Sequence, residues 1–122
     1  MPNNLHKGLC FETEARDYLK RQGCQLLTQG FRCRFGEIDL IIRDETTLCF
    51  VEVKYRKSQN FGGAAYAISY TKQRKLIKTA HFFILRHPHL ANQPMRFDAL
   101  LIQRQPSGNN DYNWIQNAFY AE

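Results

Sequence analysis

Gly36-Glu37-Ile38-Asp39-Leu40-Ile41-Ile42-Arg43, then Asp44-Glu45-Thr46-Thr47, then Leu48-Cys49-Phe50-Val51-Glu52-Val53-Lys54: the reading of this stretch decides the fold. Two β-branched, apolar runs flank a short polar turn, which is the pattern of neighbouring central strands. With the turn centred between Glu45 and Thr46, Ile38 meets Val53, Leu40 meets Val51 and Ile42 meets Cys49, giving one wholly apolar face. On the other face Ile41 meets Phe50, Asp39 meets Glu52 and Glu37 meets Lys54. A slip of one residue would destroy this match of faces, so the register is strongly specified.

The register sets two acids against each other. Directly opposite residues have Cβ atoms about 5 Å apart, and like charges there destabilise the pair. A divalent cation, a shared proton or a nearby Lys or Arg would offset the Asp39–Glu52 repulsion. Two readings are open at this point. One is an acidic pair satisfied by Arg32, Arg34 or Lys54. The other is a metal site, since carboxylates with a few waters are natural ligands for Mg²⁺. Lys54 lies two residues beyond Glu52 and projects from the same face. Such a lysine can orient or deprotonate a water and stabilise charge on a phosphate, which is the set that phosphodiester hydrolysis requires.

Outward from the hairpin, Gly8 to Gln22 reads as a helix, with Phe11, Ala15, Tyr18, Leu19 and Gln22 at helical spacing and Gly23 placed to end it. Cys24–Cys33 reads as a strand disturbed at Gly30. Residues 55–70 form a linker around Phe61-Gly62-Gly63. A second helix is expected from Thr71, read as its N-cap, to about Arg86, with Leu76, Ala80, Phe83 and Ile84 on its apolar face and His87-Pro88 as its stop. Met95–Gln103 reads as a strand, Pro106–Asn110 as a turn, and Tyr112–Phe119 as a last strand or short helix. The economical assembly is α/β: a central mixed β-sheet flanked by helices.

The 122 residues fit a single domain spanning 1–122. No apolar run approaches the roughly 20 residues that cross a bilayer, and Met-Pro-Asn-Asn-Leu-His-Lys lacks an apolar signal core, so a cytoplasmic protein without membrane contact is expected. The cysteines at 10, 24, 33 and 49 form no Cys-x-x-Cys, and free, partly buried thiols are expected. His87-Pro88-His89 reads as a polar helix stop in preference to a metal pair. Residues 54–104 carry ten basic side chains and one acidic, whereas residues 1–53 carry seven and eight. A basic segment beside an acidic motif suits a polyanion that is held and then worked on. Arg56, Lys57, Lys72, Arg74, Lys75 and Lys78, with Lys54, are the candidates for a phosphate-backbone groove, with Tyr55, Phe61, Tyr66 and Tyr70 between them as candidates for stacking on unpaired bases. The competing reading of these residues is a solvated helix face and aromatics packed under a loop.

Gly36-Glu37-Ile38-Asp39 followed by Val51-Glu52-Val53-Lys54 resembles the PD-(D/E)xK nuclease motif, with Ile38 where the motif's name has proline. Over Gly8 to Phe119 the chain is similar to the bacterial YraN-like family, which resembles Holliday-junction resolvases and restriction endonucleases. The likeness includes Gly8-x-x-x-Glu12 with Ala15, Phe61-Gly62-Gly63, Thr71-Lys72-Gln73-Arg74-Lys75-Leu76, Arg96-Phe97-Asp98 and Trp114-Ile115-Gln116-Asn117-Ala118-Phe119. Gly30 stands where relatives often carry an asparagine.

The resemblance implies a restriction-endonuclease-like core and a Mg²⁺- or Mn²⁺-dependent endonuclease. Its metal ligands would be Asp39, Glu52, the Val53 carbonyl and Glu12, with Lys54 catalytic and Gln73 a polar positioning group. It implies a nucleic-acid substrate, DNA ahead of RNA, branched or damaged in structure. A homodimer or a protein partner would enlarge the small surface. The alternatives are a nuclease-like module that binds nucleic acid or a partner without turnover, and an RNA-processing nuclease.

Overall fold

The hairpin sits at the centre of a five-stranded sheet. The computed structural model describes residues 4–56 and 68–121, with side chains described from Phe11 onward. In chain order the elements are α1 (Asn4–Arg21), β1 (Gln25–Cys33), β2 (Gly36–Asp44), β3 (Thr47–Arg56), α2 (Tyr70–Arg86), a single 3₁₀ turn (Pro88–Leu90), β4 (Met95–Arg104) and β5 (Asn110–Phe119). The strands lie in the order β1-β2-β3-β4-β5. All neighbours are antiparallel except β3 and β4, which run parallel and are joined through α2. The expected α/β architecture, a mixed sheet flanked by helices, is therefore the observed one.

Each helix covers one face. Ala15 and Leu19 of α1 pack with Leu40, Ile42, Cys49, Val51, Leu100 and Ile102. Leu76, Ala80 and Phe83 of α2 pack with Ile38, Ile41, Phe50, Phe97 and Ala99 on the opposite face. Covered on both sides, β2 and β3 must be apolar almost throughout, which explains their continuous runs. No helix among the described residues is long and apolar enough to cross a membrane.

The predicted hairpin register holds from Leu40↔Val51 to Asp44↔Thr47 and then stops. Beyond it the expected pairs Ile38↔Val53, Asp39↔Glu52 and Glu37↔Lys54 are not part of the ladder. The cause is local: the Asp39 carboxylate accepts the Val53 backbone N–H at 2.8 Å, taking the place of a strand carbonyl. Side-chain alternation slips at the same point, because Ile38 and Ile41 both pack on the α2 face while Leu40 and Ile42 pack on the α1 face. The single apolar face expected for Ile38, Leu40 and Ile42 is thus divided between two cores.

Other departures are small. The N-cap of α2 is Ser69, whose hydroxyl accepts from the Lys72 N–H at 3.1 Å; Thr71 lies inside the first turn. The helix stop at His87 is as expected: its ring contacts the Phe83 carbonyl at 2.9 Å and stacks on the Phe83 ring at 4.1 Å. In β1 the register shift falls between Leu26 and Thr28, while Gly30 carries the expected disturbance as a φ of +73°. Residues 110–119 form an edge strand. Phe61, Tyr66, the Phe61-Gly62-Gly63 bend and Lys57 lie outside the described residues.

Gly36 opens β2 against α2. Its φ is +154°, and a Cβ there would stand 3.1 Å from the hydroxyl of buried Thr79, which is itself bonded to the Lys75 carbonyl. Both the backbone angle and the contact oppose a side chain. Gly36→Ala is expected to lower stability by about 1–2 kcal/mol in urea unfolding, without changing the denaturant slope.

Candidate metal centre

Four acids converge where β2 parts from β3. Glu12 of α1 and Glu37 and Asp39 of β2 bring one carboxylate oxygen each to within 4.8 Å of one another, and all three side chains are half-buried. Gly30 of β1 lies between Gln29, opposite Leu40, and Phe31, opposite Ile38, and so stands across from Asp39. A Cβ on it would be 3.8 Å from the Glu12 carboxylate, so β1 leaves the approach of Glu12 open. Glu52 of β3 completes the acid set and is buried, at 8% exposure.

The electrostatics follow from this crowding. Asp39 is pushed up to about 7, first by burial and next by the Glu52 charge, with Glu12 and Glu37 adding and the Val53 N–H opposing. Glu12 is raised as well, first by burial and then by Glu37, while a hydrogen bond with Asp39 pulls the other way. Clustered acids that hold protons this strongly lack compensating cations. The described cations nearby are few: Arg32 lies 3.5 Å from Glu37 at the surface, and the Lys72 ammonium lies 3.3 Å from Glu52. Among the described residues Lys54 makes no ion pair; it shares the Glu52 face of β3 and is half-buried. The donor set is all oxygen and multiply anionic, which suits a hard divalent cation held partly through water.

The sequence profile of the uncharacterised protein family UPF0102 matches residues 11–102, from the middle of the acid-bearing helix through most of β4. The chain belongs to the UPF0102 family. A UPF0102 protein of Alcanivorax borkumensis is 45% identical, over 91% of this chain and 89% of its own. One from Nitrosomonas europaea is 47% identical, over 93% of each. One from Vibrio parahaemolyticus is 45% identical, over 88% and 87%. Among solved structures, Pyrococcus furiosus SfsA in complex with Ca²⁺ aligns with a TM-score of 0.41 and 18% identity, over 93% of this chain and 64% of that one.

In the UPF0102 chain the predicted site residues are only partly gathered. Asp39 and Glu12 meet, and Glu37, read from sequence as a cross-strand partner of Lys54, joins them. The signal was present: Glu37 is two residues before Asp39 and so shares its face. Val53 reaches Asp39 through its N–H. Gln73 does not join the cluster; its Nε2 donates to the Ile68 carbonyl at 2.8 Å, which braces the start of α2.

The basic candidates also divide. Lys72, read as a phosphate ligand, is on Glu52. Arg74, Lys75 and Lys78 are exposed along α2, and Arg56 reaches the Tyr55 carbonyl at 3.3 Å. Tyr55 stacks on Phe11 at 4.0 Å and is packed between elements. The described cysteines are free, as expected. Burial, with help from Asp44 and Asp98 respectively, pushes the thiols of Cys24 and Cys49 up to about 11 and about 12, which makes them poor nucleophiles.

Proposed function

We propose that this UPF0102 chain is a divalent-metal-dependent endonuclease with a restriction-endonuclease-like core, acting on branched or damaged DNA. The observation that supports it most is the acid cluster itself: Glu12, Glu37 and Asp39 within 4.8 Å, with Glu52 acting on Asp39 and paired with Lys72. A set compensated, among the described residues, only through Arg32 on Glu37 and Lys72 on Glu52 is costly to the fold and suits a cation that arrives with its substrate. A bound Mg²⁺ or Mn²⁺ would neutralise the scissile phosphate and lower the pKa of a coordinated water. Asp39, Glu12, Glu52 and the Val53 carbonyl are its proposed ligands, with Glu37 as a further acid within reach.

The chain's own residues supply the rest. Asp39 is held in place by the Val53 N–H, so its carboxylate is presented to the cluster in a fixed direction. Lys54 brings a positive charge to orient or deprotonate the attacking water and to stabilise charge on the phosphate. The first turn of α2 contains no acid and presents Lys72 and Arg74. Basic residues at a helix N-terminus work against the helix dipole, yet they strengthen its attraction for a phosphate.

A second reading, binding of nucleic acid without turnover, draws on the Lys72–Glu52 ion pair, because a lysine there compensates one acid as a metal would. The two separate in one assay. The purified protein, incubated with Mg²⁺ or Mn²⁺ and a panel of branched, nicked, single-stranded and RNA substrates, is expected to cleave a DNA member of the panel. Asp39→Ala should reduce cleavage to background while leaving salt-dependent binding intact. Binding without cleavage on every substrate with either metal would remove the enzyme reading in favour of the module. Cleavage confined to RNA would redirect it to RNA processing.

A further inference from the structure

A concavity lies along the first turns of α2, on a different side of the helix from Lys72. Its walls are Tyr70, Gln73, Arg74, Ile77 and Lys78 of α2 and Tyr120, just past β5, and its volume is about 530 Å³. Among the described residues four large apolar side chains are exposed: Tyr70 at 70%, Tyr120 at 71%, Leu85 and Met95. Both tyrosines are at this cavity.

Tyr70 is exposed but not loose. Arg74 donates to its hydroxyl at 3.2 Å and lies 5.7 Å from its ring centroid. The ring is thereby fixed at low entropic cost while remaining open to a partner. The other polar walls are Lys78 and Gln73, and no carboxylate lines the cavity among the described residues. Gln73 uses its side-chain N–H on Ile68, which leaves its oxygen as an acceptor. Aromatic faces, two cations and one neutral acceptor match a planar heterocycle on an anionic backbone. They match a fully paired duplex poorly, since its bases are already stacked.

We propose that this cavity receives an unpaired nucleobase of a single-stranded or splayed nucleic acid, stacked on Tyr70 and Tyr120 with flanking phosphates on Arg74 and Lys78. The assignment deepens, and rests on, the reading of the chain as a nucleic-acid enzyme. Lys72, next in sequence to Gln73, is at Glu52, so the cavity and the acid set meet the same first turns of α2 from different sides of the helix. The site selects strands with unpaired bases, such as those at branches and lesions.

The test is binding in EDTA, where no cleavage occurs, using a single-stranded oligodeoxynucleotide containing 2-aminopurine and its fully paired duplex. The wild-type protein should change the 2-aminopurine fluorescence of the single strand. Tyr120→Ala and Tyr70→Ala should each weaken single-strand binding by about tenfold with an unchanged salt slope. Tyr120→Phe should bind as wild type, and duplex binding should be unaffected by all three. Lys78→Met should lower the single-strand salt slope by about 0.7. Single-strand binding unchanged in both alanine variants, or duplex binding weakened equally, would overturn the proposal. Because metal plays no part, either result leaves the cleavage assay to stand or fall by itself.

Discussion

Asp39→Asn is expected to be more stable than the wild-type protein at pH 8 and no more stable at pH 4. Asp39 titrates near 7 in the folded chain, against about 3.8 ordinarily. Between those values the unfolded chain gives up this proton while the folded chain keeps it, so folding loses free energy as pH rises through the window. Below pH 4 the group costs nothing, and above about pH 7 the loss is complete. Asparagine removes the charge and retains an oxygen for the Val53 N–H. Allowing for partial solvent screening, the gain at pH 8 is roughly 2–4 kcal/mol, or about 10 °C in Tm for a chain of this size. Thermal unfolding in EDTA at the two pH values measures it. A variant less stable than wild type at pH 8 would mean that the carboxylate is well compensated, and the description of the cluster would fail.

The opposite sign is expected for Asp98→Ala. Asp98 is 1% exposed, yet it is satisfied on every side. Arg96 Nε lies 3.0 Å from both oxygens, Trp114 Nε1 donates at 2.9 Å and the Asn117 N–H at 3.0 Å. Arg96 also holds Asp44 at 3.0 Å, which ties β4 to the turn end of β2. Removing the carboxylate leaves a largely buried guanidinium short of a partner and orphans an indole and a backbone N–H. The expected loss is about 3–5 kcal/mol by chemical denaturation. A loss below about 1 kcal/mol would show that the network relaxes onto water. The two aspartates illustrate one rule: an acid ringed by donors maintains the fold, and an acid ringed by acids strains it.

The fold was legible because its signals are local. The apolar runs, the two-residue turn and the face matching of Leu40–Asp44 with Thr47–Val51 each follow from backbone geometry, and the structure keeps that register. The candidate site was legible in part: Glu12 and Asp39 meet, Glu37 joins them from another reading, and Gln73 stays apart. Ending the ladder at Leu40 depends on a bond between the Asp39 side chain and the Val53 backbone, which no periodicity encodes. The slip of alternation follows from that bond. Lys72 and Lys78 fall on different stripes of α2, but it takes the packing of the helix on the sheet to bring one to Glu52 and the other to the tyrosine-lined cavity. Tyr120 gave no signal, since one tyrosine past a strand has no pattern until the fold sets it beside Tyr70. Asp98 showed its place only within a family likeness; its partners come from β4 and β5.

The central claim is that these acids hold a divalent cation. Calorimetric titration of the wild-type protein with Mn²⁺ at pH 8 tests it most directly, with Asp39→Asn as the comparison. Saturable binding that raises wild-type Tm and is lost in Asp39→Asn is the predicted result; at a hundredfold excess over Kd the gain is about 2.7 kcal/mol. Absence of saturable binding in the folded wild-type protein, or equal binding by the variant, would contradict it.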